Sequence, residues 1–159
     1  MISATLSGKI LTTFEDALQK VSILIAYIPM LMSSGGNAGE QSSVTIIRGL
    51  SLQEIEFKDA FRVIWKEVRV AILCGLTLAI ANFAKLLIFD RMDIMVALVI
   101  CITLIMTIIA AKLVGCVLPM LAKKIGLDPA VMASPFITTI VDVISLLVYF
   151  RVATLLLGI

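Results

Sequence analysis

Asp142 lies in Pro135-Phe136-Ile137-Thr138-Thr139-Ile140-Val141-Asp142-Val143-Ile144, the opening of a long apolar run that continues to Leu157. A carboxylate inside a bilayer helix costs roughly 2.5–3.5 kcal/mol on insertion scales. A buried cation, a lysine partner or a water-filled path would offset that cost. An acid in this setting points to cation passage. A second unusual stretch is Ser33-Ser34-Gly35-Gly36-Asn37-Ala38-Gly39-Glu40-Gln41-Ser42-Ser43. It places three glycines and several polar side chains where a plain spanning helix has Leu or Val. Polar or non-helical backbone at membrane depth is tolerated only against protein or a water-filled cavity. Glycines let another helix or an ion path come close, so Gly36→Leu should hinder helix approach. The other reading is a phosphate-cradling loop. It lacks the GxxxxGK[ST] spacing, and no strand precedes it.

Other chemistries are poorly served. The chain has no histidine, which removes His-ligated zinc, His proton relays and His-dependent triads. Cys74, Cys101 and Cys116 lie in apolar segments without CxxC pairing and read as small packing residues. The eight methionines suit gap-filling in apolar helices. No nucleophile–base–orienter set appears, so an enzyme is not expected. No dense basic run suggests nucleic acid. Thr77, Thr103, Thr107 and Ser145 are expected to bond their own helix backbone or a neighbour. Lys112 lies about 16 Å along its helix from Lys123 at 1.5 Å per residue. It either pairs with Asp142, holding helices together, or snorkels toward the interface. A cation near an ion path would slow cation passage.

The elements that must position these residues are membrane helices. Of the 159 residues, 61% are hydrophobic and 15% charged, and the mean hydropathy is +1.15. Soluble domains carry about 45–50% apolar and about 25% charged residues. Residues 70–89, 94–120 and 136–157 each reach the ~20 residues a span needs. Residues 21–32 are shorter, contain Pro29, and regain apolar character over 44–50. Residues 1–14 are too short to span, lack the features of a secretory signal, and read as a partial helix. Arg48, Lys58, Arg62, Lys66 and Arg69, then Lys123 and Lys124, place those two connections on the cytoplasmic side. The N-terminus then lies inside and the C-terminus outside, with an odd number of segments, five if 1–14 counts. Ile55, Phe57, Phe61, Ile64, Trp65 and Val68 alternate with Glu54, Glu56, Asp59, Arg62, Lys66 and Glu67. That pattern predicts an amphipathic helix lying at the interface, with Trp65 as a headgroup anchor. Asn82 and Lys85 are expected to face the opposite interface.

GGNAGEQSS followed by Arg48-Gly49-Leu50, then Gly126-Leu127-Asp128-Pro129-Ala130 and SPFITTIVDVISLLVYF, resembles the membrane domain of the MgtE family of magnesium channels. The family patterns are GGNxGxQ in the second helix, a DPA turn before the last helix and P-F-x-T-T-x-x-D at its start. The resemblance runs from Phe14 onward. It implies an all-α membrane protein: a five-helix transmembrane domain, here with a shortened first helix, forming a homodimeric pore in the bacterial plasma membrane. Residues 1–159 would be that domain alone, without the cytoplasmic helical and CBS domains that gate many relatives, so a separate cytoplasmic regulatory partner is conceivable.

The resemblance also implies site residues. Asp142 and its symmetry mate would form the central Mg2+ site. The backbone carbonyl of Thr138 would face it one turn earlier, and Ser134 lies a further turn back on the same face. Thr139 is one position round and packs or bonds back to its helix. Gly35, Gly36, Asn37, Gly39 and Gln41, with Pro135, belong to the pore and helix-packing motifs. Mg2+ is hard, prefers octahedral oxygen and dehydrates reluctantly, so a path can hold the hydrated ion and hydrogen-bond its waters. Two facing Asp142 carboxylates would repel each other, and a divalent cation between them reverses that. Glu40 departs from the small polar residue usual in the family; it either attracts cations at the inner mouth or faces solvent. The rival readings are proton- or sodium-coupled divalent cation transport and a non-conducting assembly subunit.

Overall fold

The computed structural model describes residues 2–13, 22–130 and 134–158, the side chains at a few segment ends excepted. Helices account for almost all of them, and no strand occurs among the described residues. Helix α1 (Ile2–Thr13) has 12 residues, about 18 Å at 1.5 Å per residue, which is short of a span as the sequence implies. It packs against the final helix, contributing Ile10 and Leu11 to the core.

A 3-10 turn (Ser22–Tyr27) leads into α2 (Ile28–Ser51), 24 residues without a break. Pro29 occupies the first turn of α2, where its missing N–H has no intrahelical partner to lose. It starts the helix and does not interrupt it. The glycine- and serine-rich stretch is helical throughout, which rules out the loop-like phosphate cradle.

The connection after α2 is tightly built. Gln53 adopts a left-handed φ of 59°, and the Glu54 amide donates to the Gly49 carbonyl at 2.9 Å. The Ile55 side chain covers Gly49 so closely that a Cβ there would overlap it. Glu56 and Asp59 form a reciprocal capping box around a short 3-10 turn (Phe57–Asp59). Helix α3 (Ala60–Ile88) follows, 29 residues long. The amphipathic helix expected at the interface is therefore not separate: Phe61, Ile64, Trp65 and Val68 are the first turns of the spanning helix. Its period continues in phase into the apolar segment, so no break is required. Trp65 is 58% exposed.

In the turn after α3, Asp90 accepts hydrogen bonds from Lys85 Nζ at 2.6 Å and from the Tyr27 hydroxyl at 2.8 Å. These bonds, the lysine's first, hold the Asp90 carboxyl below the usual carboxylate range. Lys85 faces outward as expected, whereas Asn82 is half-buried, its amide 4.0 Å from the Cys101 sulfur. Asp93 caps α4 (Ile94–Lys124, 31 residues) by accepting from the Met95 amide at 2.8 Å. Helix α4 is the centre of the bundle and packs on α2, α3 and the last helix. Its end turns through Gly126, whose φ of +80° suits glycine, with the Leu127 amide returning to the Ala122 carbonyl at 2.9 Å. The DPA segment then makes an Asx turn, Ala130 N to Asp128 Oδ1 at 2.9 Å. Helix α5 (Ser134–Leu157) closes the fold; its buried Tyr149 donates to the Leu24 carbonyl at 3.0 Å.

Among the described residues, three helices are long and apolar enough to cross a membrane: Phe57–Ile88, Ile94–Lys124 and Pro135–Leu157. Helix α2 matches them in length but not in hydropathy, and is sheltered by α4 and α5. The shelter is possible because of glycine. A Cβ on Gly35 would stand 2.7 Å from Thr107 and 2.8 Å from Val141. One on Gly39 would meet Ile137 at 2.8 Å, and one on Gly115 would land on the Gly39 carbonyl oxygen. The backbones of α2 and α4 thus touch directly, as small residues permit in apolar surroundings.

Candidate functional site

Helix α2 presents two polar faces, and each meets different neighbours. On one, Ser33, Gly36, Asn37 and Glu40 recur at three- and four-residue spacing, and with Met32 they border a cleft of about 260 Å³. Thr138 and Asp142, one turn apart on α5, form the opposite wall. Asp142 and Glu40 are half-buried, while Ser33 and Asn37 are exposed. The cleft is open on one side, and its polar groups are chiefly oxygen donors: two carboxylates, an amide and two hydroxyls. Such a set suits a hard, hydrated cation. Among the described residues no three His, Cys, Asp or Glu side chains converge to hold a metal.

The expected residues divide between lining and packing. Asp142, Thr138, Gly36 and Asn37 line the cleft. Gly35 and Gly39 are in the packed seam behind it. Gly36 is not a packing glycine: a Cβ there would have its nearest neighbour, Thr138 Cγ2, at an ordinary 3.7 Å. The obstruction expected of Gly36→Leu is thus a filled cleft and not a displaced helix. Gln41 is exposed and outside the cleft. The Pro135 carbonyl accepts from Thr139 Oγ1 at 2.8 Å and from Thr138 Oγ1 at 3.3 Å, so Thr139 bonds back to its own helix as expected. The Ser134 side chain lies outside the described residues. Glu40, for which two roles were open, borders the cleft.

The second polar face of α2 is closed. Ser42 Oγ donates to Glu67 Oε2 at 2.5 Å, and Lys112 Nζ lies 3.2 Å from the same oxygen. Ser42 is 1%, Glu67 7% and Lys112 6% exposed. The lysine is neither snorkelling nor set against Asp142. Its counter-charge comes from α3, so its charge is matched inside the protein. Sequence reasoning placed Glu67 on the polar side of an interfacial helix. A signal was present: Glu67, Ala71, Gly75 and Ala79 recur every four residues, and all are buried. That stripe of small residues marks a packing face, and Glu67 heads it. Ser145 bonds the Val141 carbonyl at 2.6 Å and Thr77 the Leu73 carbonyl at 2.8 Å, as expected. Thr103 and Thr107 do not: their buried hydroxyls have no hydrogen-bond partner among the described residues.

Residues 28–152, from the start of α2 almost to the end of α5, match the MgtE family, described as divalent cation transporters. The chain belongs to the MgtE family. It is 37% identical over 157 residues to the magnesium transporter MgtE of Thermus thermophilus, covering 99% of this chain and 34% of that protein. It is 36% identical over 149 residues to the magnesium transporter MgtE of Bacillus subtilis, covering 94% of this chain and 33% of that one. The corresponding protein of Enterococcus faecalis is 30% identical over 149 residues. The chain therefore spans about a third of the length of these MgtE relatives. The matched region holds both polar faces of α2 and the whole cleft.

Proposed function

We propose that this MgtE domain passes Mg2+ across the bacterial plasma membrane as the hydrated ion, along a path formed where the α2–α5 clefts of two copies face each other. The observation that carries the reading is the placement of Asp142 beside Glu40, Asn37, Ser33 and Thr138 in an open cleft within an apolar helical bundle. A carboxylate bordering such a cleft is a natural site for a cation or its water. Two carboxylates from one chain are too few ligands for a dehydrated ion, but pairs from two chains can hydrogen-bond a retained water shell. The direction of flow follows from the membrane potential, worth about 2.3 kcal/mol per charge per 100 mV. Glu40 adds a second negative charge on the facing wall of the same cleft, drawing cations toward Asp142.

The test is Mg2+ uptake into proteoliposomes holding the purified chain, at a set membrane potential without a proton or sodium gradient. Uptake by the wild type, and its sharp loss in Asp142→Asn with assembly retained, is the expected result. Unchanged uptake in a well-folded Asp142→Asn removes that residue from the path. Uptake that appears only with a proton or sodium gradient replaces the pore with coupled transport. The oligomeric state of the reconstituted protein tests the second copy directly.

A further inference from the structure

A second and larger cavity, about 1070 Å³, opens between the end of α2 and the start of α3. Arg48 from α2 and Arg62, Lys66 and Arg69 from α3 line it. None of these four cations takes part in the ion pairs Lys58–Glu56, Lys85–Asp90 and Lys112–Glu67. Three carboxylates also line the cavity: Glu54, Asp59 and Glu67. Glu67 is committed to Lys112 and Ser42, and Asp59 accepts from the Glu56 amide at 3.1 Å. Four cations thus stand against Glu54 and Asp59, and positive charge is in surplus.

The line of residues on α3 says what kind of anion fits. Arg62, Lys66 and Arg69 are followed at alternating three- and four-residue steps by Leu73, Leu76 and Ile80, on the same face. Those three apolar side chains are 68%, 44% and 68% exposed. A single helix face therefore passes from cationic, over residues 62–69, to apolar, over residues 73–80, with Leu73 and Trp65 also lining the cavity. A soluble anion would use only the first half of that face. We propose that the cavity binds the phosphate headgroup of an anionic phospholipid, one acyl chain of which lies along Leu73, Leu76 and Ile80. Basic pockets at the ends of membrane helices bind such headgroups.

Native mass spectrometry of the purified chain in mild detergent tests this, with phosphatidylglycerol and phosphatidylcholine of matched chains and with soluble glycerol phosphate. Preferential retention of phosphatidylglycerol is expected. The triple variant Arg62→Gln, Lys66→Gln, Arg69→Gln should lose that preference, about fivefold per cation removed, whereas Arg91→Gln in the opposite turn should keep it. Equal binding of the two lipids, or a preference that survives the triple variant, overturns the proposal. Glycerol phosphate binding as well as the intact lipid assigns a free-anion site and overturns the lipid assignment. Should the triple variant lose helicity, Arg48→Gln on α2 and Arg62→Gln alone carry the same comparison.

Discussion

Two carboxylates carried by long apolar helices meet opposite fates in this protein. Glu67 is covered by protein and shares one oxygen between Ser42 and Lys112. Asp142 borders an open cleft together with Glu40. Both arrangements touch α2, on different faces. The difference separates a charge enclosed between helices from one that borders an open cleft. Burial cost is met in the first by a fixed counter-charge, whereas the second faces a cleft that water can enter. The comparison also disposes of the lysine's apparent conflict with cation passage, since its charge is cancelled away from Asp142.

The comparison breaks most completely if the wall between the two regions fails. Gly115→Leu drives a side chain into the Gly39 backbone, and we expect a loss of about 3 kcal/mol, the upper end of ordinary overpacking, read as failure to recover monodisperse protein in detergent. A stable Gly115→Leu would show that α2 and α4 are not held by close approach. Glu67→Gln leaves a buried ammonium unmatched and should destabilise the fold by about 3–5 kcal/mol. Lys112→Met in the same chain should restore most of it, as thermal unfolding would report. No rescue would mean that Glu67 acts beyond the ion pair.

Asp142→Asn sharpens the contrast from the other side. Its melting temperature should stay near the wild type's, while Mg2+ flux falls about ten- to hundredfold, the scale of hydrogen bonds to a charged acceptor at about 1.5–3 kcal/mol. A large stability loss with intact flux would exchange the roles of the two regions. Gly36→Ala should be structurally benign, since its new methyl meets Thr138 at 3.7 Å, and can gain up to about 1 kcal/mol from helix propensity. A collapse of the fold there would return Gly36 to the packing seam.

The smallest effect concerns acid. The Asp90 carboxyl is held below its ordinary value by Lys85 and Tyr27, so the stability it contributes is present above the unfolded carboxyl pKa, about 3.9, and is lost as pH falls through the lower folded value. Asp90→Asn should flatten the stability-versus-pH curve below about pH 4 and change little at neutral pH.

Much of this was legible in the residues. Three spans follow from apolar runs, and Asp142 stands out because a charge interrupts one. The DPA turn and the partial first helix are local patterns that the structure keeps. What failed did so for identifiable reasons. The other reading of the glycine–serine stretch, a phosphate-cradling loop, falls because α2 is continuous there despite weak helix propensity, packed by the two helices beside it. Over residues 54–68 alone Glu67 belongs to the polar face; over the whole helix to Ala79 the same residue falls on the buried stripe. Gly35, Gly36 and Gly39 are indistinguishable by type. Only their rotation about the helix axis, set by tertiary contacts, separates packing from lining.

The glycine seam has a mechanical consequence. Where α2 and α4 meet through backbone, no layer of deformable side chain lies between them to absorb shear. The neighbouring contacts of Gly35 and Gly39 with Val141 and Ile137 extend the same stiffness to α5. The three helices then behave as one block under load. A force on this domain is transmitted across the block to its outer surface, and displacement concentrates at its boundaries with lipid or with another copy.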